Sequence, residues 1–326
     1  MSLFDKFLQL SIPNSESTKI FNAITLEEFS FAKIGINIEG FPVILISSIE
    51  DITFLSQKNV RLNYLELTHN LECKVSENGN SKFDNFSVIV FKSTQYNLQS
   101  YFLGIAETLL ESLSKNPTQK EVFETFKNFI EIFRSLSNSP TKTLQGLWAE
   151  LLLIERANNT ECLLNYWHNI PEEKFDFNAD SEKIEVKSSS NLDRVHIFAS
   201  EQLSPPEDKQ VLIASIFTKQ ITNGKSILDL LQSIQAKISE TILIEKLFSI
   251  VSKTLGSTIE QSIKIKYDYD LAVNSLRFYR HQDISKIERL NIPERVSEVK
   301  YKSNLTDVSS INPNSIKGDG SLFEAI

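Results

Sequence analysis

The spacing of apolar and polar residues changes rhythm twice along this chain. From residue 29 to about 91, short runs alternate with a period near two, and 31–36, 42–46, 62–67 and 86–91 each read as strands. Turn residues separate them, among them Glu39-Gly40 and Glu77-Asn78-Gly79-Asn80. Between Leu98 and Leu136 the period becomes helical. Phe102, Ile105, Ala106 and Leu109 form one stripe, and Val122, Phe126, Phe129, Ile130 and Phe133 form another. So dense a phenylalanine stripe reads as core before it reads as a ligand pocket.

A loop at 137–141 leads into 144–154, a helix that is apolar nearly all round and therefore expected to be buried. Extended segments follow at 174–177, 183–188, 194–198 and 210–217, then helical spacing over 226–238 and 241–251. Two more extended runs lie near 263–273 and 276–279. This order predicts an α/β (mixed α+β) chain with a central mixed β-sheet flanked by helices, behind a small β-rich amino-terminal domain. The expected divisions are 1–96 for the β-rich domain, 97–140 for a helical connector, 141–302 for the mixed-sheet domain and 303–326 for an irregular tail rich in Ser, Asn, Asp and Gly.

Composition narrows the classes. With 326 residues, 41% of them hydrophobic, the chain has room for a sizeable core. Cys73 and Cys162 lie far apart, with no CxxC and no neighbouring histidine pair, so neither a disulfide framework nor a structural zinc site is expected. Residues 1–7 lack a basic region followed by a long apolar core, and no later apolar run reaches membrane-spanning length; the expectation is a soluble protein of the reducing cytoplasm with no membrane partner. A net charge of −8 argues against a generally adhesive nucleic-acid coat and requires any DNA contact to be local. No GxGxxG or GxxxxGK[ST] sequence occurs, so energy from ATP would come from a partner.

The chemistry concentrates in Phe175-Asp176-Phe177 and Ile184-Glu185-Val186-Lys187-Ser188. On a strand, Glu185 and Lys187 share one face while Ile184 and Val186 share the other. If Asp176 lies on the adjoining strand of a hairpin, two carboxylates and an ammonium converge, which suits a divalent metal and a scissile phosphate. Asp176 and Glu185 would hold the ion, aided by the Val186 carbonyl, and Lys187 would orient or deprotonate the attacking water and stabilise the phosphate. On the buried helix, Glu150 sits among Gly146, Leu147, Leu153 and Ile154, a costly place for a carboxylate unless a cation or donor meets it; Glu155 falls among leucines on the same wheel and rivals it. Glu-x-Lys alone is a weak signal, because surface strands carry it as an ion pair. The aromatic and aliphatic neighbours favour a buried sheet.

At these residues the chain resembles the PD-(D/E)XK nuclease-like superfamily, and within it is similar to the bacterial DUF4420 family. The likeness rests on Gly146-Leu147-Trp148-Ala149-Glu150-Leu151, Phe175-Asp176-Phe177, Ile184 to Ser189, and Gln202-Leu203, and extends over most of the chain. Phe175 stands where the superfamily's name has proline. The resemblance implies a restriction-endonuclease-like core over 141–302, with Glu150 preferred to Glu155 as the helix carboxylate. It also implies Mg2+ as cofactor with Mn2+ as a substitute, DNA as substrate, and methyltransferase or ATPase partners in restriction or phage defence. It makes Gln202 a substrate contact or a brace of the site, with a plain helix-start role as the competing reading.

Other substrate-binding candidates are weaker. Ser189, with Ser188, either binds phosphate or ends its strand; His196 shares a face with Lys187 or is structural; Arg194 is a candidate backbone contact. Residues 263–302 interleave lysines and arginines with tyrosines, but acids are mixed in, and a solvated strand surface is the plainer account. Cutting two strands with one site per chain would call for a homodimer. The competing readings are a catalytically silent nuclease-fold scaffold or DNA-binding subunit, and an enzyme acting on RNA.

Overall fold

A computed structural model gives the fold for residues 2–14, 17–50, 59–77, 79–170, 173–316 and 320–326. Met1, Asn78 of the expected turn at 77–80, and 317–319 of the expected tail lie outside the described residues. The chain divides into two compact units, one of Met1–Ser139 with Gly256–Glu260 and one of Pro140–Leu255 with Gln261–Ile326.

The first unit contains α1 (Leu3–Phe7), β1 (Ile20–Thr25), β2 (Ala32–Ile36), β3 (Pro42–Ile46), β4 (Val60–Arg61), β5 (Leu65–Glu77), β6 (Asn80–Phe91), α2 (Tyr96–Glu111) and α3 (Gln119–Ser135). The strands pair in the order β1-β2-β3-β6-β5-β4, and a parallel pairing of β1 with β5 closes five of them into a ring. Alternation sends Phe21, Ala23, Val43, Leu45, Cys73, Val75, Phe86 and Val88 into one buried cluster. Burial pushes the Cys73 thiol up to about 12, which leaves it inert. The phenylalanine stripes of α2 and α3 are core: Phe102, Phe126, Phe129 and Phe133 are buried, and the Phe102 ring stacks on Phe91 of β6 at 4.6 Å. Strand β5 runs ten residues past the expected 62–67 segment, because a bulge near Asn70, at φ +49°, shifts the register between Thr68 and Leu71 and breaks the sequence alternation.

The second unit is built from α4 (Leu144–Arg156), α5 (Thr160–Tyr166), β7 (Phe177–Ala179), β8 (Glu182–Ser189), β9 (Val195–Ala199), α6 (Ser200–Leu203), β10 (Gln210–Phe217), β11 (Gln220–Ser226), α7 (Ile227–Gln235) and α8 (Thr241–Leu255). After α9 (Ile259–Ser262), the chain adds β12 (Lys266–Tyr267), α10 (Tyr269–Ser275), β13 (Arg277–Arg280) and β14 (Lys300–Asn304). The central sheet is mixed, in the order β13-β10-β8-β7, with β8 parallel to β10 and the outer pairs antiparallel. Val211, Ile213 and Tyr279 join Phe175, Phe198, Leu203, Ile284 and Leu305 in one cluster, and α4 packs on β8 and α7. Strands covered on both faces read as apolar runs, as 210–217 does.

One expected run is corrected. Residues 263–273 are not extended throughout: β12 is two residues long and α10 follows it, because the Asp268 side chain accepts from the Leu271 N–H at 3.0 Å and starts a helix there. The segment after β14 has little regular structure, yet Leu305, Leu322, Phe323 and Ala325 are buried. The Leu322 and Phe323 N–H groups donate to Glu182 Oε2, at the start of β8, at 2.9 and 3.0 Å. A Cβ on Gly320 would come within 2.7 Å of that carboxyl group, so a larger residue there would have to shift the Glu182 side chain. Among the described residues, no helix is long and apolar enough to cross a membrane.

Candidate active site

Helix α4 begins where Thr143 accepts from the Gly146 N–H at 3.2 Å, and its apolar surface buries Glu150 to 3% exposure. Burial of that carboxylate is met by three groups. Trp167 Nε1 donates to Oε2 at 2.8 Å, His168 Nε2 lies 3.0 Å from the same oxygen, and Lys142, in the loop entering α4, donates to Oε1 at 3.0 Å. Trp167 and His168 follow α5 directly. The His168 backbone N–H then donates to the Asp176 backbone carbonyl at 2.9 Å, which ties the two stretches of chain together.

Asp176 immediately precedes β7. Pairing of β7 with β8 stops at Phe177 opposite Ile184, so Asp176 Oδ2 accepts the next β8 N–H on that edge, from Val186, at 2.8 Å. Its other oxygen accepts from Lys142 at 2.8 Å. Strand periodicity places Glu185 and Lys187 together, and Lys187 Nζ donates to Glu185 Oε1 at 2.7 Å and to Gln202 Oε1 at 3.1 Å while lying 5.2 Å from the centre of the Phe198 ring. Gln202 also takes the Ala199 N–H at 3.1 Å at the start of α6 and donates to the Lys174 carbonyl at 3.1 Å. It therefore caps a short helix and holds a lysine with one side chain.

Three buried carboxylates thus share two ammonium groups, and their protonation is uneven. Burial pushes Glu150 upward, but His168, Lys142 and Trp167 outweigh it and hold the group at about 2. Burial, reinforced by the charge of Glu150, raises Asp176. Burial and then the charge of Asp176 lift Glu185 to about 8. Burial works against the Lys142 ammonium, yet Asp176 and Glu150 hold it above the usual lysine range. Glu185 Oε2 and His168 Nδ1 are buried with no hydrogen-bond partner among the described residues.

The remaining candidates lie apart from the carboxylates. Arg194 donates to the Ser215 carbonyl and hydroxyl at 3.0 and 2.8 Å and lies over the Phe217 ring at 4.5 Å. His196 pairs with the Ser215 hydroxyl at 2.7 Å, and burial, aided by the charges of Lys187 and Arg194, lowers it to about 4, so it is neutral. Ser189 donates to Asp193 at 3.2 Å and accepts from the Asn191 N–H at 3.3 Å; Ser188 accepts from Gln145 at 3.2 Å. Glu155 points elsewhere, to Lys237 at 3.4 Å and the Tyr269 hydroxyl at 2.7 Å. Sequence reasoning asked only that some donor meet Glu150 and did not find Lys142, Trp167 or His168. The available signal was a Trp-His pair between an apolar helix and Phe175-Asp176, with a lysine just before the buried helix.

Glu150, His168 and Asp176 each turn one donor atom into a common region, all three within 4.8 Å of one another. A family model described as "Putative PD-(D/E)XK family member, (DUF4420)" matches residues 5–306. No curated protein and no solved structure matches the chain.

Proposed function

The chain belongs to the DUF4420 family, and from that premise we propose that its second unit is a divalent-metal-dependent endonuclease that hydrolyses DNA phosphodiester bonds in a bacterial restriction or phage-defence system. The observation that carries this reading is that three buried carboxyl groups, Glu150, Asp176 and Glu185, meet only two partly exposed ammonium groups, Lys142 and Lys187, and Glu185 Oε2 has no hydrogen-bond partner among the described residues. Such a set is costly as plain core and fits a bound dication. Asp176, Glu185 and Glu150 would hold it, as an ion of the Mg2+ or Mn2+ kind; when bound, it supplies charge neutralisation and a more acidic water.

The chain's own groups do the rest. Lys187, held by Glu185 and Gln202 and backed by Phe198, is positioned to orient the attacking water and to stabilise negative charge growing on the phosphate. Trp167 fixes the Glu150 carboxylate and, being buried, shields that oxygen from bulk water. Methyltransferase or ATPase proteins, and a second copy of the chain for cutting both strands, complete the proposal. One observation favours a second reading, a catalytically silent scaffold or DNA-binding subunit: Lys142 already fills the gap between Glu150 and Asp176.

Incubating the purified chain with supercoiled, linear and single-stranded DNA and with RNA, across Mg2+ and Mn2+ concentrations, tests activity and substrate together. Asp176→Asn is expected to lower cleavage at least about 10³-fold without unfolding the unit. Cleavage by that variant at the wild-type rate removes the site, and cleavage of RNA alone reassigns the substrate.

A further inference from the structure

We propose that the cation of this site is a first-row transition dication, taken in preference to Mg2+, and that His168 is its nitrogen ligand at the point held in this structure by the Lys142 ammonium. The inference rests on the reading of the cluster as a metal centre and adds to it a ligand and an ion class.

The ammonium marks the position. Lys142 Nζ lies 3.0 Å from Glu150 Oε1, 3.2 Å from His168 Nε2 and 2.8 Å from Asp176 Oδ1, so two carboxylate oxygens and an imidazole nitrogen converge on one positive charge. The surroundings hold these donors in place. The other Glu150 oxygen is held by the Trp167 indole, the other Asp176 oxygen by the Val186 N–H, and the His168 backbone by the Asp176 carbonyl. All three ligand residues are buried. Lys142, by contrast, comes from the loop before α4 and its side chain is about one-fifth exposed (21%), so it has a path out to solvent.

The contacts of His168 Nε2 show why a metal fits better than a lysine. This atom lies 3.0 Å from a carboxylate oxygen, which wants a donor, and 3.2 Å from an ammonium, which wants an acceptor. An imidazole nitrogen is one or the other in either tautomer and in the protonated ring alike, so one contact is always unfavourable. A dication removes the conflict, because lone pairs on nitrogen and oxygen are both attracted to it. The nitrogen then selects the ion: Mg2+ is a hard cation that takes oxygen ligands and gives up water reluctantly, whereas first-row transition dications accept imidazole readily.

Calorimetric titration of the full chain with Mn2+ and with Mg2+, together with electron spin-echo spectra of the Mn2+-loaded protein, tests this. The expected result is binding of Mn2+ at least about tenfold tighter than Mg2+, nitrogen modulation from a coordinated imidazole in the wild-type echo, and loss of both the modulation and most of the preference in His168→Gln. The wild-type spectrum is informative however the variant folds. Bound Mn2+ with no nitrogen modulation, or modulation that survives His168→Gln, overturns the inference and leaves the metal-dependent nuclease reading standing. Failure of the wild type to bind either ion overturns both.

Discussion

Helix α4 carries two buried glutamates with different surroundings. Glu155, near its carboxy-terminal end, meets Lys237 and the Tyr269 hydroxyl, and Lys225 lies 3.6 Å above the centre of that tyrosine ring. Among the described residues no second carboxylate shares its partners. Glu150 lies in the same helix and at similar burial, 3% against 6%, yet its lysine is shared with Asp176, and Asp176 in turn lifts the protonation of Glu185. A buried acid with its own partners is architecture. Buried acids that must divide their cations suit the dication proposed above, and burial alone would not have told the two apart.

The largest test of that contrast is catalytic. With Glu150→Gln the initial rate on supercoiled DNA is expected to fall at least about 10²-fold, because a charge on the site is lost, while Glu155→Gln stays within about threefold. Equal losses in both would erase the distinction. A second test uses pH. Glu185 keeps its proton in the folded unit up to about 8, whereas in the unfolded chain it releases it in the ordinary glutamate range. The stability linked to that proton is therefore complete at low pH and lost as pH rises through about 8. Both tryptophans of the chain, Trp148 and Trp167, belong to the second unit, so urea unfolding followed by their fluorescence reads it directly. A loss of roughly 2–4 kcal/mol between pH 5 and 9 is expected, with Glu185→Gln removing most of it. A wild-type profile that stays flat would show that Glu185 is not held among uncompensated acids.

The smallest effect separates the two lysines. Lys142→Met is expected to tighten Mn2+ binding about tenfold, near 1.4 kcal/mol, because the ion no longer displaces an ammonium, and Lys237→Met to leave it unchanged. Calorimetry on the two variants decides it, and equal affinities would make Lys142 a bystander.

The parts of the site visible in the sequence are those set by a period. Glu185 and Lys187 follow from strand alternation and Glu150 from a helical wheel crowded with apolar residues, whereas Asp176, expected on the adjoining strand of a hairpin within 174–177, lies one residue before that strand, which starts at Phe177. Lys142 and His168 lie in irregular chain, where no repeat says which way a side chain points, and contacts distant in sequence decide it. Alternation could also mislead. On β9, Val195 and Ile197 are exposed at 37% and 55%, while His196 and Phe198 turn inward, because the Ser215 hydroxyl offers the imidazole a buried partner. At 263–273, Tyr267, Tyr269 and Leu271 mimic a strand rhythm across a two-residue strand and a capped helix.

The family match stops at residue 306, but the second unit does not. The backbone amides that hydrogen-bond Glu182 come from positions 322 and 323, and Glu182 opens the strand that presents Glu185 and Lys187. A shortened protein designed to the family boundary would leave that carboxylate without its donors and uncover the floor beneath Leu322 and Phe323. Expression of the second unit therefore has to carry the last seven residues, although none of them is among the candidate site residues.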